Sequence, residues 1–213
     1  MSNHANHTVV ANAAKRIGAR NAVIRAVCCA LVLSTASLGL ATGPRAESGP
    51  KADALIADAL RAAPDSIRDT ATVSDLEGNI LRKGTSDYTC FPAPTGLAGP
   101  MCMDSEWRRW MAAWMGGTPF TAKRTAVAYM LAGDMPDGGA SNIDPAARNP
   151  TSENDWVVEG PHLMVITPDA ATFEGLPTTI RTDGPYVMWT GTPYVHLMVP
   201  VAARPEQRSV TSQ

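Results

Sequence analysis

Four side chains have the types and spacing to do chemistry together: His162 and Met164, and His196 and Met198. They sit in two copies of one tetrad, His162-Leu163-Met164-Val165 and His196-Leu197-Met198-Val199, 34 positions apart. Both stretches read as strands, in which residues two apart share a face. His162, Met164 and Ile166 therefore point one way, and His196, Met198 and Pro200 do the same in the later strand. If the Leu/Val faces of both look into the core of one sheet, both His-x-Met faces lie together on its other side. Two imidazoles and two thioethers on one surface suit Cu(I), which soft ligands select over harder ions. Adjacent strands lie about 4.8 Å apart, so convergence requires the two strands to be neighbours or nearly so. The competing reading is packing: Met fills irregular cores, and an imidazole in such a layer is commonly held by a backbone carbonyl or a carboxylate.

Other chemistry is sparse. No G-x-S-x-G, H-E-x-x-H or glycine-rich phosphate loop occurs, which leaves no familiar catalytic motif. A hydrolase would have to use His162 or His196 as general base with Asp155 or Glu159, and nothing in the spacing requires that. The segment Ala132 to Asp155 carries Gly, Pro, Asn and Asp throughout, and at 24 residues it exceeds a simple connection. Its Asp134, Asp137, Asn142 and Asp144 are oxygen ligands, but their spacing departs from the EF-hand pattern. A solvated loop built on Asx turns is the plainer reading.

The elements that must position these groups begin at Lys51. Lys51 to Ala63 reads as a helix stopped by Pro64, with Ala52, Leu55, Ile56, Ala59 and Leu60 at helical spacing. Ala71 to Arg82 reads as a β-hairpin turning at Glu77-Gly78-Asn79. Tyr88 to Met101, rich in Pro and Gly, reads as a surface excursion rather than an element. The strongest helix follows, capped by Asp104 or Ser105. Trp107, Trp110, Met111, Trp114 and Met115 form its apolar stripe, and Gly116-Gly117 ends it. The stripe reads as a core face or, alternatively, an aromatic ligand cage.

Arg124 to Leu131 reads as a strand, with a helix as the alternative, and Trp156 to Val158 and His162 to Thr167 read as strands. A short helix runs from Pro168-Asp169 to Phe173, and Leu176 to Asp183 is a loop. Tyr186 to Trp189 and Tyr194 to Val201 form a final hairpin, and the polar tail from Ala202 is expected to fray. Short strands joined by hairpins argue against a doubly wound parallel sheet. The expected fold is α+β: an antiparallel sheet of about five or six strands with one main amphipathic helix packed on a face.

Residues 1–46 read as a signal peptide. Lys15, Arg16, Arg20 and Arg25 precede the apolar run Ala26 to Ala41, with no acidic residue among them. Sixteen apolar residues fall short of the roughly 20 a membrane span needs, so an uncleaved anchor is the second reading. Cleavage is placed after Ala41 or Ala46, leaving residues 47–201 as one domain in the periplasm or outside the cell. No stable membrane insertion is expected after cleavage. Removing the five basic residues before Glu47 leaves 13 basic against 20 acidic residues, a net charge of −7. A chain this acidic repels phosphate backbones, so nucleic-acid binding is not expected. Cys90 and Cys102, with eleven residues between them, are expected to form a disulfide in an oxidising compartment.

The stretches WVVEGPHLMVITPD and GPYVMWTGTPYVHLMVPV, with TCFP and PMCMDSEW upstream, resemble a group of exported bacterial proteins of unknown function. The resemblance covers most of the mature chain and implies a small exported domain of no recognisable enzyme type. It brings no activity, substrate or catalytic residue. The reading that follows is a non-enzymatic domain binding an unidentified small molecule or protein. Its candidate surfaces are the acidic loop (Asp134, Asp137, Asp144) and the strand region of Tyr186, Trp189 and Tyr194. Periplasmic copper binding through His162, Met164, His196 and Met198 is the first alternative.

Overall fold

The computed structural model describes residues 49–94, 98–182 and 184–205. The expected signal peptide and the last residues of the tail lie outside them. In chain order the elements are α1 (Pro50–Leu60), α2 (Asp65–Arg68), β1 (Thr72–Ser74), β2 (Ile80–Arg82), β3 (Thr89–Phe91), β4 (Met101–Met103), α3 (Ser105–Met115), β5 (Ala126–Met130), β6 (Ala140–Ser141), β7 (Trp156–Val157), β8 (His162–Ile166), the 3-10 turn Ala170–Phe173, β9 (Tyr186–Met188) and β10 (His196–Pro200).

Eight strands form one sheet in the order β2-β1-β3-β4-β5-β8-β10-β9, while β6 and β7 pair as a separate ribbon. The α+β class stands, but the sheet is larger than the five or six strands expected. It is also not purely antiparallel, because β1 and β3 run parallel. The extra strands come from the stretch expected to be an excursion. Thr89–Phe91 and Met101–Met103 pair in register, with Cys90 opposite Cys102. The disulfide between them joins neighbouring strands whose Cα atoms are 4.0 Å apart. Three-residue strands between prolines and glycines give no usable alternation, which is why this pair escaped the pattern.

Residues adjacent along a strand face opposite sides, and the two cores divide accordingly. Cys90 and Cys102 face α1, packing with Val73 and with Ala59, Ala62 and Ala63 of the α1 end and the turn after it. Met103, Ala126, Ala128, Met130, Met164, Ile166 and Met198 face the other side, under Trp107 and Trp110 of α3. Asp104 caps α3 by accepting from the Trp107 amide at 2.9 Å, and Arg124 ties the same carboxylate to the sheet at 2.7 Å.

The pleat pairs the two His-x-Met faces on one side of the sheet, and they lie in the core, as the packing reading has it. The His-x-Met face is the buried one, and Leu163, Val165, Leu197 and Val199 are half-buried on the α1 side. The α3 indoles need bulky, adaptable partners, and the methionines supply them. Of the tail expected to fray from Ala202, only residues 202–205 are described. The Val201 amide donates to Pro161 O at 2.9 Å, and Arg204 reaches a buried carboxylate. Among the described residues no helix is long and apolar enough to cross a membrane.

Removing the disulfide by a Cys90→Ala/Cys102→Ala pair is expected to cost about 3 kcal/mol in denaturant unfolding, by the loop-closure estimate. Both sulfurs are fully buried, so reductant is expected to act on the native protein only through unfolding. Rapid reduction without loss of native signal would contradict that placement.

Candidate functional site

The strands carrying the two tetrads are neighbours, but they run antiparallel. Met164 lies opposite Met198, His162 opposite Pro200, and His196 opposite Met188 of β9. The histidines are therefore four residue rises apart along the strands, about 13 Å. The structure brings the two thioethers together and keeps the two imidazoles at opposite ends. Both histidines are also held by their own strands. Histidine Nδ1 can meet a carbonyl only by donating, and His162 Nδ1 donates to Gly160 O at 2.7 Å. His196 Nδ1 donates to Tyr194 O at 2.9 Å. Among the described residues no cluster of three or more His, Cys, Asp or Glu is placed to hold a metal ion. The expected copper quartet does not assemble.

His196 is enclosed instead. The rings of Trp107, Trp110 and Trp189 stand nearly perpendicular to it, with centroids 5.7, 5.3 and 5.1 Å away. Burial in this aromatic box pushes its pKa down to about 4. A base that hard to protonate, with Nδ1 bonded to backbone, is a core histidine.

Two of the expected surface residues, Tyr186 and Trp189, are internal. Tyr186 is fully buried and Trp189 nearly so, while the half-buried Tyr194 donates its hydroxyl to Thr118 O at 3.0 Å. The expectation of a binding surface on Tyr186 and Trp189 is thereby corrected. Tyr186 donates to Glu159 Oε2 at 2.8 Å, and burial together with that carboxylate pushes its phenol pKa up. Glu159, 1 % exposed, also accepts from Arg204 Nε at 3.0 Å on both oxygens. With its oxygens so occupied, Glu159 is not a free partner for a histidine base, and the hydrolase arrangement finds no support here.

The loop from Ala132 to Asp155 is built rather than loose. Asp134 and Glu159 close its neck: the Asp134 amide donates to Glu159 O at 2.9 Å, and the Glu159 amide donates to Asp134 Oδ2 at 2.7 Å. Burial raises the Asp134 pKa. Above the neck, β6 and β7 pair Ala140 with Val157 and Ser141 with Trp156. Gly139, at φ +101, lies where a Cβ would strike Val157 O at 2.3 Å, so only glycine fits.

Three indole N–H groups then hold the loop backbone from below. Trp156 donates to Gly138 O at 3.0 Å, Trp189 to Ser141 O at 2.6 Å, and Trp114 to Pro145 O at 2.9 Å. The Arg148 guanidinium lies 5.9 Å from the Trp114 ring. Asp137 and Asp144 are exposed, and Asp144 Oδ1 accepts from the Ala146 amide at 2.8 Å in an Asx turn. Ile143 is 51 % exposed and borders an open groove of about 500 Å³ with Arg148, Thr151 and Glu153.

Sequence reasoning named the loop but missed its anchors. Tryptophans at 114, 156 and 189 are far apart in the chain, and only the fold places their donors under one loop. Arg204 was missed because it stands in a polar tail with no periodicity.

No family model, no curated protein and no solved structure matches this chain.

The sign of the His196 shift gives a pH test. Above pH 6.5 the imidazole is neutral in both folded and unfolded chains. As pH falls from 6.5 towards 4, the unfolded chain gains a proton that the folded one refuses, so stability falls, by up to about 3 kcal/mol. Asp134 titrates in the opposite sense, so the comparison must be between variants. His196→Phe is expected to flatten the loss between pH 6.5 and 4 in denaturant titrations. An unchanged slope would contradict the assignment.

Proposed function

We propose that this protein is an exported, non-enzymatic binding domain whose recognition surface is the outer side of residues 143–154. One observation carries this reading. Two indole donors fix the loop just before this stretch, at Gly138 O and Ser141 O, and a third fixes it inside, at Pro145 O, while Ile143, Arg148 and Glu153 are exposed, with no ion pair for Arg148 or Glu153 among the described residues. A surface held in advance loses less conformational entropy on binding. Long ordered loops on a rigid scaffold are where recognition residues concentrate. Export is supported by the basic-then-apolar N-terminus and by a buried disulfide of the kind that oxidising compartments sustain.

The chemistry of the groove narrows the ligand class. A groove lined by an exposed aliphatic side chain, a cation (Arg148) and two anions (Asp144, Glu153) fits a ligand with an apolar group and both charges, which is the character of a peptide.

Amide chemical-shift mapping with a pool of short peptides tests this. Perturbations are expected to cluster within 143–154. An Ile143→Glu/Arg148→Glu variant is expected to weaken the strongest binder at least about tenfold, equivalent to roughly 1.4 kcal/mol. Shifts centred elsewhere, or binding indifferent to that variant, would remove the proposal.

A further inference from the structure

Arg204 lies 45 positions after Glu159, in the segment following the last strand, yet its side chain meets the base of the loop. We infer that Arg204 is a positioning residue for the loop, acting as a latch on its neck from two sides. The functional meaning of this latch rests on the binding role proposed for residues 143–154; its geometry stands without it.

The first side runs through Glu159. That residue faces Asp134 with two backbone-mediated hydrogen bonds, 2.7 and 2.9 Å, which close the loop where it leaves and rejoins the sheet. The Glu159 side chain is buried and receives both the Arg204 guanidinium and the Tyr186 hydroxyl. Arg204 Nε shares its hydrogen between both carboxylate oxygens and Nη2 lies 3.0 Å from Oε2 as an ion-pair contact, so the planar guanidinium restrains the Glu159 carboxylate, and with it the backbone that meets Asp134. The guanidinium also lies 5.4 Å from the Tyr186 ring centroid, which restricts its own position.

The second side runs through the chain beside β9. Arg204 Nη1 donates to Ile180 O. Two residues earlier, Thr178 O accepts from Asn142 Nδ2 at 2.9 Å. Asn142 continues the β6–β7 ribbon, its amide donating to Asp155 O at 3.0 Å. It also accepts from the Trp189 amide at 2.9 Å. One guanidinium thus reaches the bottom of the stem through Glu159 and the top of it through residues 178–180.

The final strand does not depend on this latch. Val201 is bonded to Pro161 O, and Gly160 packs so closely on Ala203 O that a Cβ there would stand 2.3 Å away. Loss of the guanidinium is therefore expected to loosen the stem while β10 stays in place.

Amide hydrogen exchange without any ligand tests the latch. Arg204→Lys keeps a charge but loses the fork. Glu159→Gln/Arg204→Met removes the interaction without leaving a buried charge unpaired. The amides of Asn142, Ala146 and Ala147 are expected to exchange about tenfold faster in the double variant, with those of β5 and β8 unchanged. Arg204→Lys is expected to fall between it and the wild type. Unchanged loop exchange, or an equal acceleration of loop and sheet, overturns the inference. Faster loop exchange in a protein that binds no peptide supports the latch and removes the binding proposal. Peptide binding at 143–154 with unaltered loop exchange in the variants does the reverse.

Discussion

The backbone of Trp189 sits at φ +56, a left-handed conformation that bulky residues rarely adopt. Such strain costs on the order of 1–3 kcal/mol and persists only where the surroundings over-determine it. Here the surroundings do. The amide donates to Asn142 O and the indole to Ser141 O. The carbonyl accepts from Thr192 Oγ1 at 2.8 Å, and the ring stacks parallel to Trp110 at 5.5 Å. One residue therefore joins the core under α3, the exit of β9 and the root of the long loop. The aromatic packing stabilises the strained backbone, and the strained backbone aims the indole at the loop.

Around that joint the polar and apolar parts of the molecule divide their tasks. The α1 side, with its alanines against the disulfide, fixes the first four strands of the sheet. The α3 side packs methionines and indoles over the remaining strands and encloses His196. The buried charges hold the loop stem. Burying Glu159 and Arg204 together brings a desolvation cost that hydrogen bonds and mutual attraction must offset. A well-packed apolar pair in the same place would not orient the Asp134–Glu159 neck, and that gives the ion pair a geometric role beyond net stability.

Legibility from sequence followed the strength of local signals. The α3 helix with its Asp104 cap and the final hairpin announce themselves through spacing and breaker residues and form where expected, although Met115, at the end of the expected stripe, is 77 % exposed. The strands β3 and β4 do not, because three residues between prolines and glycines carry no period. The pleat pairs off the His-x-Met faces as expected, and they pack under the α3 indoles, as the packing reading has it, rather than facing away from the core. Aliphatic residues ordinarily mark the core, but here three tryptophans on α3 favour thioethers beneath them. Convergence of the histidines was undecidable from sequence, because strand direction sets it and the tetrads read the same either way. The contacts of Arg204, Glu159 and the three loop-holding indoles are set by tertiary distance alone, and no local pattern encodes them.

The central claim is that residues 143–154 form a surface whose shape exists before any ligand arrives. Backbone ¹⁵N relaxation of the free protein measures this directly. The account predicts order parameters across 143–154 near those of the sheet, about 0.85. Values below about 0.6 through that stretch would mean a loop mobile on the picosecond–nanosecond timescale, and would contradict it.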